Sequence, residues 1–104
     1  MPADLPVVWS ADAERDLFEI WDYLALEASP NVADKRLRDI HRTVANLADW
    51  PRLGRERTDV RSGLRSLADP PHVIFYRVEA ARVEILRILH GHRDIIRIFS
   101  KDTG

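Results

Sequence analysis

The chain has 104 residues, no cysteine and a formal net charge of −1, which fits one domain and excludes a disulfide framework, a thiolate zinc site, an iron–sulfur cluster and a cysteine nucleophile. With 45% hydrophobic and 32% charged residues it reads as globular, and its length excludes a barrel enzyme, a kinase or a two-domain dehydrogenase. No apolar run approaches the roughly 20 residues of a membrane span, and residues 1–6 show no signal-peptide pattern, so a cytoplasmic protein without membrane contact is expected.

The charge is unevenly placed. Residues 1–50 carry 5 basic and 10 acidic side chains, whereas residues 51–104 carry 11 basic and 7 acidic ones. Of the 16 basic residues, 14 are Arg. Arginine suits bidentate contact with carboxylate or phosphate, so an acidic partner is as good an expectation as nucleic acid. A sequence pI of about 6.4 differs from that of dedicated nucleic-acid binders, which lies above about 9, and direct nucleic-acid binding is not expected.

Val7-Val8-Trp9 reads as a first strand. Ser10 is a good N-cap, with Asp12 and Glu14 in the positive first turn. Leu17, Ile20, Trp21, Leu24 and Ala28 then recur at helical spacing and predict an amphipathic helix over 11–28. Ser29-Pro30 restarts a helix, and Ala33, Leu37, Ile40, Val44 and Leu47 form the stripe of a second one over 31–48. The short link predicts an antiparallel helix hairpin, which Asp49-Trp50-Pro51 ends.

Residues 53–62 are polar and Arg-rich and read as loop. Leu64-Arg65-Ser66-Leu67 predicts a short strand and Asp69-Pro70-Pro71 a turn, with His72 as a turn residue. Residues 73–78 and 83–89 are two β-rich runs, and the four residues between them fit a hairpin. In the second run Val83, Ile85 and Leu89 alternate with Glu84, Leu86 and Ile88, so both faces are apolar and the strand is expected inside its sheet. Ile95-Ile96-Arg97-Ile98-Phe99 reads as helix or strand, followed by a flexible tail from about residue 100. The expected fold is a single α+β domain of order β-α-α-β-β-β, its helix hairpin packed on one face of a small, mainly antiparallel sheet.

Five pieces in this order resemble the RelE/ParE superfamily of toxins from type II toxin–antitoxin pairs. They are Trp9-Ser10-x-x-Ala13-x-x-Asp16-Leu17-x-x-Ile20-x-x-Tyr23-Leu24; Leu47-x-x-x-Pro51-x-x-Gly54; Gly63-Leu64-Arg65-x-Leu67; Val73-Ile74-Phe75-Tyr76-Arg77; and Val83-x-Ile85-Leu86-Arg87-Ile88-Leu89-His90-Gly91-x-Arg93-Asp94. The His-Gly-x-Arg-Asp ending and the two long helices are more similar to ParE than to RelE. The ParE resemblance implies inhibition of DNA gyrase by binding, a role in plasmid stabilization, and neutralisation by a ParD-like antitoxin in a hetero-oligomer. The RelE alternative implies a ribosome-dependent mRNA endoribonuclease, and a third reading is a degenerate toxin that only binds its antitoxin.

A metal-free nuclease needs proton-transfer groups and cations for the phosphorane charge. Arg65, His92 and Arg93 are the candidates under that alternative, with His90 and Glu56 as further proton-transfer groups. No Tyr follows Arg93-Asp94, where RelE-type nucleases often carry one, and the low pI disfavours ribosome binding. His90-Gly91-His92 with Asp94 is read as a sheet end rather than a metal site, and no cofactor is expected. Under the leading reading, Phe18 and Leu26 fall off the apolar stripe of the first helix and His41 lies near that of the second. These three, with the strand arginines Arg65, Arg77 and Arg87, are the expected antitoxin contacts. The three arginines are expected on the sheet face away from the helices. The loop arginines Arg52, Arg55, Arg57 and Arg61 are either a solvated loop, partly neutralised by Glu56 and Asp59, or a cationic surface for an acidic partner.

Overall fold

The computed structural model describes residues 1–91 and 94–100. Strand β1 (Val7–Trp9) leads directly into helix α1 (Ala11–Glu27). Ser10 sits between them in extended backbone, and its Oγ accepts the Ala13 N–H at 3.0 Å while donating to the Leu86 carbonyl at 2.8 Å. One side chain thus caps the helix and ties its start to the sheet. Ser29 caps helix α2 (Pro30–Asp49) by accepting the Val32 N–H, with Pro30 in the first turn. The Trp21 indole donates to Asp34 at 2.8 Å across the hairpin.

Strands β2 (Arg55–Glu56), β3 (Arg65–Asp69), β4 (His72–Glu79) and β5 (Arg82–His90) follow, and a short helix α3 (Ile95–Ser100) closes the described chain. They form one five-stranded sheet in the order β1-β5-β4-β3-β2. The β1–β5 pair is parallel and the other three are antiparallel. This is the expected α+β fold, with β5 inside the sheet between β1 and β4. Ile40, Val44 and Leu47 of α2 and Ala13 of α1 pack with Ile74, Tyr76, Val83, Ile85 and Ile88 on the helix-covered face. On the opposite face Leu64, Phe75, Leu89 and Phe99 form a second, smaller core. Phe75 and Phe99 meet edge to face at 5.2 Å, so α3 covers part of the face left by the hairpin.

Several local expectations change. Residues 53–62 contain a two-residue strand, β2, rather than loop alone. The last apolar stretch is helix. The β4–β5 connection is a two-residue turn, Ala80-Ala81, with φ of 53° and 57°, not a four-residue loop. His72 opens β4, is only 9% exposed and lies against the His90 ring at 6.0 Å, so it is a strand residue and not a turn residue.

The alternation expected in β5 breaks at Leu86. Tyr76 pairs with Ile85 but Phe75 pairs with Arg87, leaving Leu86 as the extra residue of a bulge. The bulge shifts the facing by one. Val83, Ile85 and Ile88 therefore share the helix-side core, while Leu86 and Leu89 belong to the other. On α1 the stripe is only half-buried, and Ala28 lies past the helix end and is exposed. The tail from residue 101 onward lies outside the described residues, as do His92 and Arg93.

Candidate functional site

The outer surface of the helix hairpin carries several exposed large apolar groups. Phe18 is 72% exposed and Leu26 84%. Both fall off the buried stripe because α1 presents only Ala13 and Asp16 fully to the interior. Phe18 borders a recess of about 290 Å³ with Glu14, Leu17 and Leu37. Leu37 also borders a second recess with Asp34, Arg38, His41 and Arg42. Leu37, placed in the core stripe by its spacing, is thus a half-buried floor between the two helices. Leu37 borders both recesses, with Phe18 on one and His41 on the other. His41 is held there by a hydrogen bond between Nδ1 and the Leu37 carbonyl at 2.8 Å and by its ring, 5.2 Å from Trp9. Leu26 borders neither recess. It lies eight positions after Phe18, about 12 Å along α1.

The three strand arginines do not share one face. Arg65 pairs with Tyr76 across the β3–β4 ladder, which places it on the helix side of the sheet. Its guanidinium donates to the Gly54 carbonyl at 2.7 Å and reaches Glu56 at 3.4 Å, leaving the side chain 18% exposed. Gly54 is fixed from the other side by Tyr76. The Gly54 N–H donates to the Tyr76 Oη at 2.8 Å, and that hydroxyl donates to the Pro51 carbonyl at 2.7 Å. A Cβ on Gly54 would lie 2.7 Å from the Tyr76 ring, which explains the glycine. Arg65 and Tyr76 therefore anchor the loop that follows α2.

Arg77 is on the face away from the hairpin and is shared between Glu79 at 3.0 Å and Glu84 at 3.2 Å. Arg87 turns back to the helices. It reaches past the end of β1 to Asp16 of α1, with Nε and a terminal nitrogen 2.8 and 2.9 Å from the two carboxylate oxygens. Asp16 also accepts the Ile88 N–H at 2.9 Å, so one buried carboxylate closes the β5 edge where β1 stops. Spacing alone held a signal for this pair. An acid three positions after Ala13 on the buried side of a helix, and an arginine inside an apolar strand, each require a partner.

Between α1 and the β4–β5 end lies a cleft of about 430 Å³ bordered by Ile20, Tyr23, Leu24, Pro71, His72 and His90. Burial, with smaller contributions from Arg36 and His90, pushes the His72 imidazole down to about 4. His72 is thus neutral at physiological pH. Among the described residues no group of three His, Asp or Glu is placed to hold a metal ion, and no helix is long and apolar enough to cross a membrane. Of the nuclease candidates Arg65, His92 and Arg93, only Arg65 lies within the described residues; of the further proton-transfer groups, Glu56 is paired with Arg65 and His90 ends β5.

The fold is that of a small α+β domain with a helix hairpin on one face of a five-stranded sheet, and comparison with known proteins gives its family. Residues 7–95 match the family described as ParE toxin of type II toxin-antitoxin system, parDE. Toxin ParE1 of Caulobacter vibrioides is 36% identical over 85 residues, covering 82% of this chain and 88% of that protein. Toxin ParE1 of Mycobacterium tuberculosis is 33% identical over 89 residues, covering 85% and 91%. A solved chain of the chromosomal ParDE system from P. aeruginosa superposes with a TM-score of 0.75 at 28% identity, covering 85% of this chain and 97% of that one. A chain of the RelBE2 toxin–antitoxin complex of M. tuberculosis shares the fold, with a TM-score of 0.59 at 22% identity and coverage of 86% and 99%. The chain belongs to the ParE toxin family of type II toxin–antitoxin systems.

Proposed function

We propose that this toxin acts in the cytoplasm by binding rather than by catalysis, blocking a DNA-gyrase-type topoisomerase. A ParD-like antitoxin keeps it inactive in a hetero-oligomer, and the pair serves plasmid stabilization. The observation that carries the antitoxin side is the pair of recesses that share Leu37 along the hairpin groove, one bordered by Phe18 and the other by His41. An amphipathic helix fits such a groove by placing apolar anchors against Phe18 and Leu37. Leu26 and the half-exposed Arg77 complete the contact set, while Arg65 and Arg87 support it indirectly, by holding the loop after α2 and by tying α1 to β5. Membership of the ParE family supports the gyrase side, as the expectation that the resemblance carries. The engagement of Arg65 with Gly54 and Glu56 supports binding over RNA cleavage, because its guanidinium is spent on holding a loop.

The test is induction of the toxin alone in bacteria. A gyrase poison causes DNA-damage signalling and filamentation while translation initially continues. Immediate arrest of protein synthesis, with mRNA cut at codons, contradicts the proposal and favours the endoribonuclease. No toxicity, with antitoxin binding retained, favours the degenerate reading.

A further inference from the structure

Strand β1 ends where Trp9 pairs with Ile85, so β5 runs on from Leu86 with no strand on that side. Helix α1 takes the place of one. Ser10 meets the Leu86 carbonyl and Asp16 the Ile88 N–H. One to two turns further along α1, the cleft of about 430 Å³ separates Ile20 and Leu24 from the cross-strand pair His72 and His90. The Gly91 N–H donates to the Pro71 carbonyl at 3.0 Å, which carries the β4–β5 ladder one step past that pair and fixes this wall of the cleft.

His72 is 9% exposed, and its Nδ1 is buried without a hydrogen-bond partner. Among the described residues its ring meets the His90 ring but makes no hydrogen bond. A neutral imidazole has one N–H and one bare nitrogen, and buried polar groups of this kind are otherwise paired. The charge around the cleft is one-sided. Asp16 and Glu19 border it, and among the described residues no Lys or Arg does. Arg87 neutralises Asp16 at 2.8 Å, whereas Glu19 is exposed and has no ion pair among the described residues. Ile20, Leu24 and Ile88 make the border apolar, and Tyr23 adds an aromatic ring. A cavity of this volume, apolar with a few converging polar groups, suits one small molecule.

We propose that this cleft binds a small aromatic amine, its ring against Ile20, Leu24 and Ile88, a ring N–H donating to the His72 imidazole and its ammonium facing Glu19. The unpaired carboxylate selects a cation over an anion. The unpartnered imidazole selects a ring with a hydrogen-bonding group over a plain hydrocarbon. The cleft shares no residue with the two recesses on the hairpin, and the proposal does not depend on the antitoxin reading.

The experiment titrates the full chain with tryptamine at neutral pH, with calorimetry for affinity and NMR of the His72 and Tyr23 ring protons for location. The expected result is saturable binding of one tryptamine per chain, with shifts at both rings. Indole-3-acetate, which keeps the ring and reverses the charge, is expected to bind about tenfold more weakly. Glu19→Gln, at an exposed position that leaves the fold intact, should remove most of that preference. Tryptamine methylated at the ring nitrogen should bind about fivefold more weakly than tryptamine, and His72→Phe should abolish that difference. The comparison of the two amines on the wild-type chain stands even where His72→Phe fails to fold. Absence of saturable binding overturns the proposal. So do equal affinities for tryptamine and indole-3-acetate, or shifts confined to Phe18 and Leu37 on the hairpin.

Discussion

Asp16 and Arg87, 71 residues apart, are joined by two hydrogen bonds of 2.8 and 2.9 Å. The Asp16 carboxylate is 5% exposed and is also the acceptor for the Ile88 N–H. Removing it takes away the carboxylate that a mostly buried guanidinium and an edge amide share. Asp16→Ala is expected to cost roughly 3–5 kcal/mol in urea unfolding. Arg87→Met in that background should recover part of the loss, because it removes the charge that the Asp16 carboxylate balanced. Strictly additive losses in the double-mutant cycle would contradict the pairing.

The β4–β5 turn places two alanines at positive φ, 53° and 57°. An L-residue with a Cβ pays about 1–2 kcal/mol for this conformation, which Asn and Gly adopt at less cost. Replacing Ala80-Ala81 with Asn-Gly is expected to stabilise the fold by about 1 kcal/mol, read as a raised urea midpoint with unchanged m-value. An unchanged or lowered midpoint would mean that the turn is not strained.

This turn also shows where the sequence could and could not be read. Helix starts were legible because Ser10 and Ser29 are local signals whose side chains need only the next turn. The proline-ended helix hairpin and the element order β-α-α-β-β-β are legible for similar reasons, whereas the two-residue β2 is not. Ala80-Ala81 carries no turn chemistry, so the hairpin loop looked two residues longer than it is. The bulge at Leu86, which moves Ile88 to the helix side, depends on pairing with β4 and leaves no mark on β5 alone. At the candidate site, the exposure of Phe18 and Leu26 followed from helical spacing. The dispersal of Arg65, Arg77 and Arg87 did not, because each is directed by a partner distant in sequence, or by the face that its register assigns.

His72 makes stability depend on pH. Its imidazole is pushed from 6.5 down to about 4, chiefly by burial, with Arg36 and His90 adding to the shift and Asp69 opposing it. The folded state therefore holds this ring neutral where the unfolded chain protonates it. The stabilisation is complete above pH 6.5 and is lost as pH falls toward about 4. Wild-type stability should fall through that window with an extra slope approaching 1.4 kcal/mol per pH unit, and His72→Gln should remove the extra slope. Parallel pH profiles for the two proteins would contradict this.

Phe18 separates binding from folding. Its ring is mostly in solvent, so Phe18→Ala should change unfolding free energy by no more than about 0.5 kcal/mol. Its loss from the mouth of the hairpin groove should weaken antitoxin binding by about 2 kcal/mol, near thirtyfold, measured by calorimetry. Equal affinity in the variant would move the antitoxin away from the groove.

The central claim is inhibition of a topoisomerase by a non-catalytic toxin, and a supercoiling assay tests it most directly. Purified toxin, DNA gyrase and relaxed plasmid are mixed with ATP, with and without the antitoxin. The account predicts that the toxin blocks supercoiling, that the antitoxin restores it, and that Arg65→Ala weakens inhibition without abolishing it. Undiminished supercoiling at saturating toxin, with ribosome-dependent mRNA cleavage that Arg65→Ala eliminates, would contradict it.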